Sequence, residues 1–335
     1  MAHKTITKAE TKEVVVPQNI FYYFCSAMKK ILLLFLFFTF GASASAESRA
    51  ERLIKELRDP SSEYIFVAAH RGDWRNYPEN SLQGIESAIK MGVDIVEVDV
   101  HRTADGHLVV CHDKSINRTT NGKGKIAELT LDSIRRCSLR AGHNCVMPKY
   151  KMPTLDEVLD LCRGRVLINI DKGYNYYDQI MAMLRKQNMV EQVVIKGSKS
   201  PATVAKTMAN HKQNMLYMPI INYTEKHWER HKGLFEEYLA SPLPLVAYEI
   251  CWNGTLRGER RIFEQVLRSG ARLWVNTLWD SLCGGEKHGF EDDRAIDNEE
   301  KIYGELLKMG VTMIQTDRPQ MLINYLNSKG RHTLQ

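Results

Sequence analysis

A concentrated basic stripe is missing from this sequence. Lys and Arg number 46 against 40 Asp and Glu, a formal charge of +6 over 335 residues. The surplus is scattered, which argues against a nucleic-acid-binding protein. No run reaches the ~20 apolar residues that a membrane-spanning helix needs. The apolar run at 31–40 has ten residues, of which only Thr39 is polar. Seven cysteines show no paired C-x-x-C spacing, so no zinc pattern is present. With 44% hydrophobic and 26% charged residues, the chain is neither disordered nor collagen-like and can bury a large core.

The short apolar run has a meaning of its own. Met28-Lys29-Lys30 precedes it, and small residues ending in Ala44-Ser45-Ala46 follow it. A basic start, a short apolar centre and an A-x-A exit describe a secretory signal peptide. Residues 1–46 are therefore expected to be a polar lead, with translation starting at Met28, followed by a leader. The mature chain would run from Glu47 and be periplasmic or secreted. No cysteine follows the cleavage site, so a stable membrane anchor is not expected. An oxidising compartment permits disulfides, and Cys137 with Cys145 is the nearest local pair. Cys111, Cys162 and Cys251 read better as small buried hydrophobes.

Past residue 60, β-branched runs alternate with amphipathic ones. Strands are expected at 65–70, 95–101, 166–171, 193–196, 216–221, 246–250, 272–277 and 312–316. Helices are expected at 81–91, 154–162, 176–187, 201–211, 226–240, 258–269, 298–309 and 319–327. Start signals support several of these, including Thr154 with Glu157 three residues on, and Pro201 after Ser200. Eight alternating pairs over 47–335 point to an α/β protein with a (β/α)8 TIM barrel. A doubly wound open sheet is the alternative. One stretch, 102–152, breaks the alternation. Asp105-Gly106 is a hairpin signal and 108–111 a returning strand, so the stretch reads as an excursion over the C-terminal face.

In such a barrel the strand C-termini supply the chemistry. Glu97 and Asp99 are two residues apart and so share a face of the second strand. Asp171 ends the next strand. Two charges about 5 Å apart repel by about 3 kcal/mol at an effective dielectric near 20, so three carboxylates call for a counter-ion. All-oxygen ligation selects one hard divalent cation, Mg²⁺ or Ca²⁺; a structural ion pair with Lys172 or Lys196 is the competing explanation. His70 and His112, at neighbouring strand ends, suit an acid–base pair, and Arg71 suits a phosphate. Together these groups indicate phosphoryl chemistry.

The motifs His70-Arg71-Gly72, Pro78-Glu79-Asn80-Ser81, Glu97-x-Asp99, His112-Asp113, Arg118-Thr119-Thr120-x-Gly122-x-Gly124, Pro153-Thr154-Leu155-Asp156-Glu157, Trp274-Val275-Asn276 and Thr316-Asp317-Arg318-Pro319 resemble those of the glycerophosphodiester phosphodiesterase family in order and spacing. The resemblance covers about 64–327. It implies a distorted barrel that hydrolyses small-molecule glycerophosphodiesters to glycerol 3-phosphate and an alcohol by way of a cyclic phosphate that water then opens. It further implies His70 and His112 as the acid–base pair, Arg71 as a phosphate ligand, Glu97 and Asp99 as metal ligands, and Glu79 as a residue near the metal. Asn80 is left with the plainer task of introducing a helix. The family's third strand usually carries Glu-x-Lys, whereas here Asp171 is followed directly by Lys172. In a regular strand Lys172 points away from the site. A bulge at Gly173 could restore it, or Lys196 could supply the charge, and Lys196 is preferred.

Glu249 and Trp274 are further substrate-side candidates. Trp274 belongs to a set of five aromatics, with Tyr217, Tyr248, Trp252 and Trp279, that could line the mouth or fill the core. The acidic stretch 291–297 reads as a solvated lid. A lysophospholipase D-type activity would keep the same chemistry but needs an apolar channel that the sequence does not show. A non-enzymatic phosphoester-binding barrel is disfavoured by the two histidines and three carboxylates. Nothing in the sequence specifies an oligomeric state.

Overall fold

The computed structural model describes residues 46–334 apart from 225–226, 228–230, 232, 255–258 and 286–288. Apart from Ala46, the expected lead and leader lie outside the described residues, as do parts of the helices expected at 226–240 and 258–269. Eight apolar runs form parallel strands: β1 (Phe66–His70), β2 (Ile95–Arg102), β6 (Leu167–Asp171), β7 (Val193–Gly197), β8 (Leu216–Asn222), β9 (Ala247–Asn253), β10 (Arg272–Asn276) and β12 (Met313–Thr316). They follow one another round the sheet, with the short β11 (Cys283–Gly284) beside β9, and β1 pairs with both β2 and β12, which closes the barrel. The open sheet is thereby excluded. Parallel strands packed on both faces read as near-continuous apolar runs, which is why they are conspicuous in the sequence.

Helices α2 (Leu82–Met91), α4 (Leu155–Cys162), α5 (Tyr177–Gln187), α6 (Pro201–Met208), α7 (Leu234–Leu239), α8 (Glu259–Arg268) and α11 (Pro319–Ser328) follow successive strands. After a short α9 (Asp292–Ala295), the expected helix at 298–309 is instead a π-helical turn, Glu300–Gly304, running into α10 (Glu305–Lys308). The inward residues change character along each strand. At the N-terminal end Phe66, Ala68, Ile95, Leu167, Val194, Leu216, Met218, Ala247, Trp274 and Met313 form an apolar floor. Towards the C-terminal ends the same strands bury His70, Glu97, Asp99, Asn169, Lys196, Glu249, Asn276 and Gln315. Charge buried this deeply is costly unless paired or bound to an ion, so this polar layer marks the working end.

A helix not anticipated in the sequence stoppers the other end. In α1 (Arg49–Arg58), Ser48 caps the Glu51 N–H while the Glu51 carboxylate accepts from the Ser48 N–H. Leu53 and Leu57 then pack onto the apolar floor. Asp94, wholly buried, clasps this end together. It accepts from Arg49 (2.9 Å), Tyr64 Oη (2.7 Å) and the Val67 N–H (2.9 Å), and His332 lies 3.4 Å away. Removing one partner of a buried charge pair typically costs about 3–5 kcal/mol. Asp94→Ala should therefore lose about that much stability in urea unfolding followed by circular dichroism. A loss below about 1 kcal/mol would mean that Arg49 finds water instead.

The excursion over 102–152 starts as a hairpin. β3 (Leu108–Val110) pairs antiparallel with the end of β2, Val100 opposite Val110 and Arg102 opposite Leu108. Helix α3 (Leu131–Arg136) and the two short strands β4 (Leu139–Arg140) and β5 (Val146–Met147) follow. Val109, Cys111, Ile116, Ile126, Ile134, Leu139 and Met152 give it a small core of its own. The pairing suggested for Cys137 and Cys145 does not form: both are free thiols, as are Cys111, Cys162, Cys251 and Cys283. Cys111, Cys162 and Cys251 are buried.

Candidate active site

Strand register assembles the site. His70 lies opposite Glu97 across β1 and β2, and Asp99 lies opposite Asp171 across β2 and β6. Glu97, Asp99 and Asp171 each turn one carboxylate oxygen into a group in which these atoms all lie within 4.8 Å of one another. Burial pushes Glu97 up to about 8, and the neighbouring Asp99 adds to the rise. Burial alone would raise Asp99 as well, but Lys172 and Arg71 outweigh it and hold Asp99 down at about 2. The cluster is thus short of positive charge. All-oxygen donors in this arrangement fit a hard divalent cation.

Lys172 enters the cluster, against the expectation from strand periodicity. Its backbone adopts the left-handed region, φ 62°, so the side chain folds back instead of pointing away. Its ammonium pairs with Asp99 and lies 3.5 Å from Asp171 Oδ2. Gly173 follows as part of a short 3-10 turn, so the reversal belongs to Lys172 itself. Lys196, the preferred candidate, is engaged elsewhere. It is buried and pairs with Glu249 Oε2 at 3.2 Å, whereas the Lys172 side chain is 28% exposed. Burial would lower its pKa, but Glu249, Asp171 and Glu97 together raise it. Glu249 also accepts from Asn276 Nδ2 at 2.8 Å.

Both histidines are held in the same way. His70 Nδ1 donates to Asp317 Oδ1 (2.7 Å) and His112 Nδ1 donates to Asp113 Oδ1 (2.8 Å). Each arrangement leaves Nε2 for the substrate. Asp99 lies within electrostatic reach of both rings. Burial pushes the His70 pKa below the ordinary imidazole value, and Asp317 offsets part of the fall. His112 is more open, its side chain 39% exposed.

In the sequence Asp317 stands out only as part of the Thr316-Asp317-Arg318-Pro319 motif, which says nothing of its service to His70. It also accepts from Trp74 Nε1 at 2.6 Å. Its own backbone N–H donates to Asp292 Oδ2 at 2.7 Å. Asp292, in turn, accepts from Thr277, Thr316 and Tyr303 hydroxyls. The stretch 291–297 therefore contains a buried anchor and is not a merely solvated lid.

Two further expectations are corrected. Glu79 does not join the carboxylate cluster. Arg71 Nη1 donates to it at 3.1 Å and Arg118 Nη2 at 2.8 Å, and these guanidinium groups keep its carboxyl ionised despite burial. Arg118 also binds Asp113, so one chain of ion pairs links Arg71 to the carboxylate that orients His112. Trp274 is wholly buried in the apolar floor, its Nε1 donating to Asn276 Oδ1 at 2.9 Å. Tyr217, Tyr248 and Trp252 are buried outside the barrel wall. Of the five aromatics only Trp279, 43% exposed, stands at the opening, 6.2 Å from His70 ring to ring.

The sequence matches the family model described as "Glycerophosphoryl diester phosphodiesterase family" over residues 70–227. A glycerophosphodiester phosphodiesterase of Caldanaerobacter subterraneus is 29% identical over 79% of this chain and 99% of its own length. Over these residues the chain is similar to the glycerophosphoryl diester phosphodiesterase family. A rat family member, glycerophosphodiester phosphodiesterase 1, is 36% identical over 41% of this chain and 40% of its own. Its match covers less than half of either protein. A second model, a domain of unknown function, matches 217–326. The same barrel fold is also seen in a Parabacteroides distasonis glycerophosphoryl diester phosphodiesterase, with a TM-score of 0.68 at 20% identity over 84% of this chain and 92% of that one. An Oleispira antarctica phosphodiesterase solved with sn-glycerol 3-phosphate superposes with a TM-score of 0.55 at 18% identity over 79% and 97%.

Proposed function

We propose that this chain hydrolyses glycerophosphodiesters to glycerol 3-phosphate and an alcohol, with a divalent cation at Glu97, Asp99 and Asp171. The observation that carries the reading is the grouping of these carboxylates with two imidazoles whose Nδ1 atoms are both tied to carboxylates. The cation, when bound, supplies positive charge to the phosphate and to the hydroxyl that attacks it.

The chain's own residues divide the remaining work. His70, whose pKa is lowered by burial, is neutral and takes the proton of the glycerol 2-hydroxyl on Nε2 as that oxygen attacks phosphorus. His112 Nε2 gives a proton to the departing alcohol oxygen. A cyclic phosphate results. In the second half the roles reverse: His112 takes a proton from water as it attacks phosphorus, and His70 returns one to the 2-oxygen. Arg71 and Lys172 lie where they can offset the charge that grows on the phosphate oxygens.

Assaying purified protein on glycerophosphocholine, glycerophosphoethanolamine, glycerophosphoinositol and lysophosphatidylcholine tests this. Glycerol 3-phosphate should appear from the glycerophosphodiesters in the presence of Mg²⁺ or Ca²⁺. Faster release of choline from lysophosphatidylcholine than from glycerophosphocholine would favour the lysophospholipase D-type reading. No glycerol 3-phosphate from any of them would end the proposal.

A further inference from the structure

The segment between β1 and α2 carries a feature that the acid–base scheme does not use. Asn80 is 2% exposed, and its backbone lies in the left-handed region at φ 58°. It does not introduce the helix: Ser81 does, its hydroxyl accepting from the Gly84 N–H. The Asn80 N–H instead donates to the carbonyl of Arg71, 3.0 Å away. Arg71 is itself left-handed, φ 54°, so two unusual backbone positions brace each other beside the cluster. Asparagine tolerates this conformation better than most side chains do.

This brace presents the Asn80 amide to the carboxylates. Its Nδ2 donates to Asp99 Oδ2 at 3.1 Å, an arrangement that fixes which end of the amide carries oxygen, since an oxygen there would face a carboxylate. Oδ1 is then buried with no hydrogen-bond partner among the described residues. Covalent geometry separates the two amide atoms by about 2.2 Å. Oδ1 therefore stands within about 5.3 Å of Asp99 Oδ2. An acceptor left bare inside a protein is unfavourable, and native structures keep few of them away from bound ligands.

We propose that Asn80 Oδ1 is a fourth protein ligand of the divalent cation, while Nδ2 of the same amide holds Asp99 in place. The inference rests on the cation reading given above. A neutral oxygen suits this position, because the three carboxylates of the cluster already exceed the charge of a divalent ion. It also accounts for the neighbouring position: Glu79, closer to the expected role in sequence, is engaged by Arg71 and Arg118. Hard cations take carbonyl and amide oxygens readily beside carboxylates.

The test compares the whole chain with its Asn80→Ala and Asn80→Asp variants after removal of metal. Ca²⁺ and Mg²⁺ affinities are measured by calorimetry, and bound water is counted from Tb³⁺ luminescence lifetimes in H₂O and D₂O. Asn80→Ala should weaken Ca²⁺ binding by about 10- to 100-fold and add one water to bound Tb³⁺. Asn80→Asp keeps an oxygen at the position and should bind Ca²⁺ more tightly than Asn80→Ala does. If only the hydrogen bond from Nδ2 matters, Asn80→Asp will bind no better than Asn80→Ala and the water count will stay at the wild-type value, which overturns the assignment. Should Asn80→Ala fail to fold, the water count of Asn80→Asp decides: an unchanged count with retained affinity supports a ligand oxygen, and an added water opposes it. Wild-type protein that binds neither ion would instead refute the cation reading itself.

Discussion

Removing divalent cations with EDTA should lower glycerol 3-phosphate release by at least about a thousandfold, and added Mg²⁺ or Ca²⁺ should restore it. A cation acting on a phosphoryl oxygen is worth several kcal/mol of transition-state stabilisation, and each 1.36 kcal/mol is tenfold in rate. Lys172, Arg71 and Lys196 lie close to the carboxylates but are already engaged by Asp99, Glu79 and Glu249. They do not replace the missing charge. The pH dependence of binding follows from Glu97. In the metal-free protein this carboxyl is pushed up to about 8, so at neutral pH it carries a proton that a cation must displace. Cation affinity should therefore rise with pH up to about 8 and level off above it. Calorimetry in two buffers of different ionisation enthalpy would show the released proton. Full activity in EDTA, with no metal found in the protein, would sink the scheme.

Replacing either histidine by alanine should cost about 10²- to 10⁴-fold in kcat, the usual worth of a positioned proton-transfer group. Circular dichroism and Ca²⁺ affinity should be unchanged, because neither ring belongs to the carboxylate cluster. The double variant should lose less than the product of the two single losses, since the rings act in one step. Asp317 acts through His70, holding Nδ1 at 2.7 Å and so keeping Nε2 free. Asp317→Asn should therefore lower kcat with little change in KM. The pH profile carries a sign as well. Burial moves His70 below the ordinary imidazole value, so its neutral, proton-accepting form predominates at pH 7. The limb of kcat/KM belonging to the base should rise on the acid side and level off towards neutrality. A rate that fell steadily between pH 5 and 7 would reverse the assignment of base to His70. Wild-type rates in both alanine variants would remove the pair from the mechanism.

The barrel could be read from the sequence because its strands advertise burial on two faces: Val193 to Lys196 and Val246 to Ile250 can hardly lie elsewhere. The carboxylate cluster was legible for a related reason. A two-residue spacing fixes the common face of Glu97 and Asp99, whatever the details of the strand. What escaped depended on single backbone angles or on distant partners. Lys172 reaches Asp99 only because its φ is positive, and periodicity carries no trace of that. Glu79 is withdrawn from the cluster by Arg118, 39 residues away. Trp274 had to choose between floor and mouth, and the inward register of β10 at that level settles the choice. The α1 helix was overlooked although Ser48 and Glu51 form a capping pair, since its three buried residues, Ala50, Leu53 and Leu57, are spread thinly among charges.

The Asp94 clasp gathers Arg49, at the start of α1, and His332, three residues from the end of the chain, at the base of the barrel. The catalytic groups crowd the opposite rim. An affinity handle or solid support attached ahead of Glu47 would thus tether the molecule by its foot and leave the entrance facing free solution. Joining the two ends by a short peptide, with new termini cut elsewhere, would likewise alter the end of the molecule that no substrate visits.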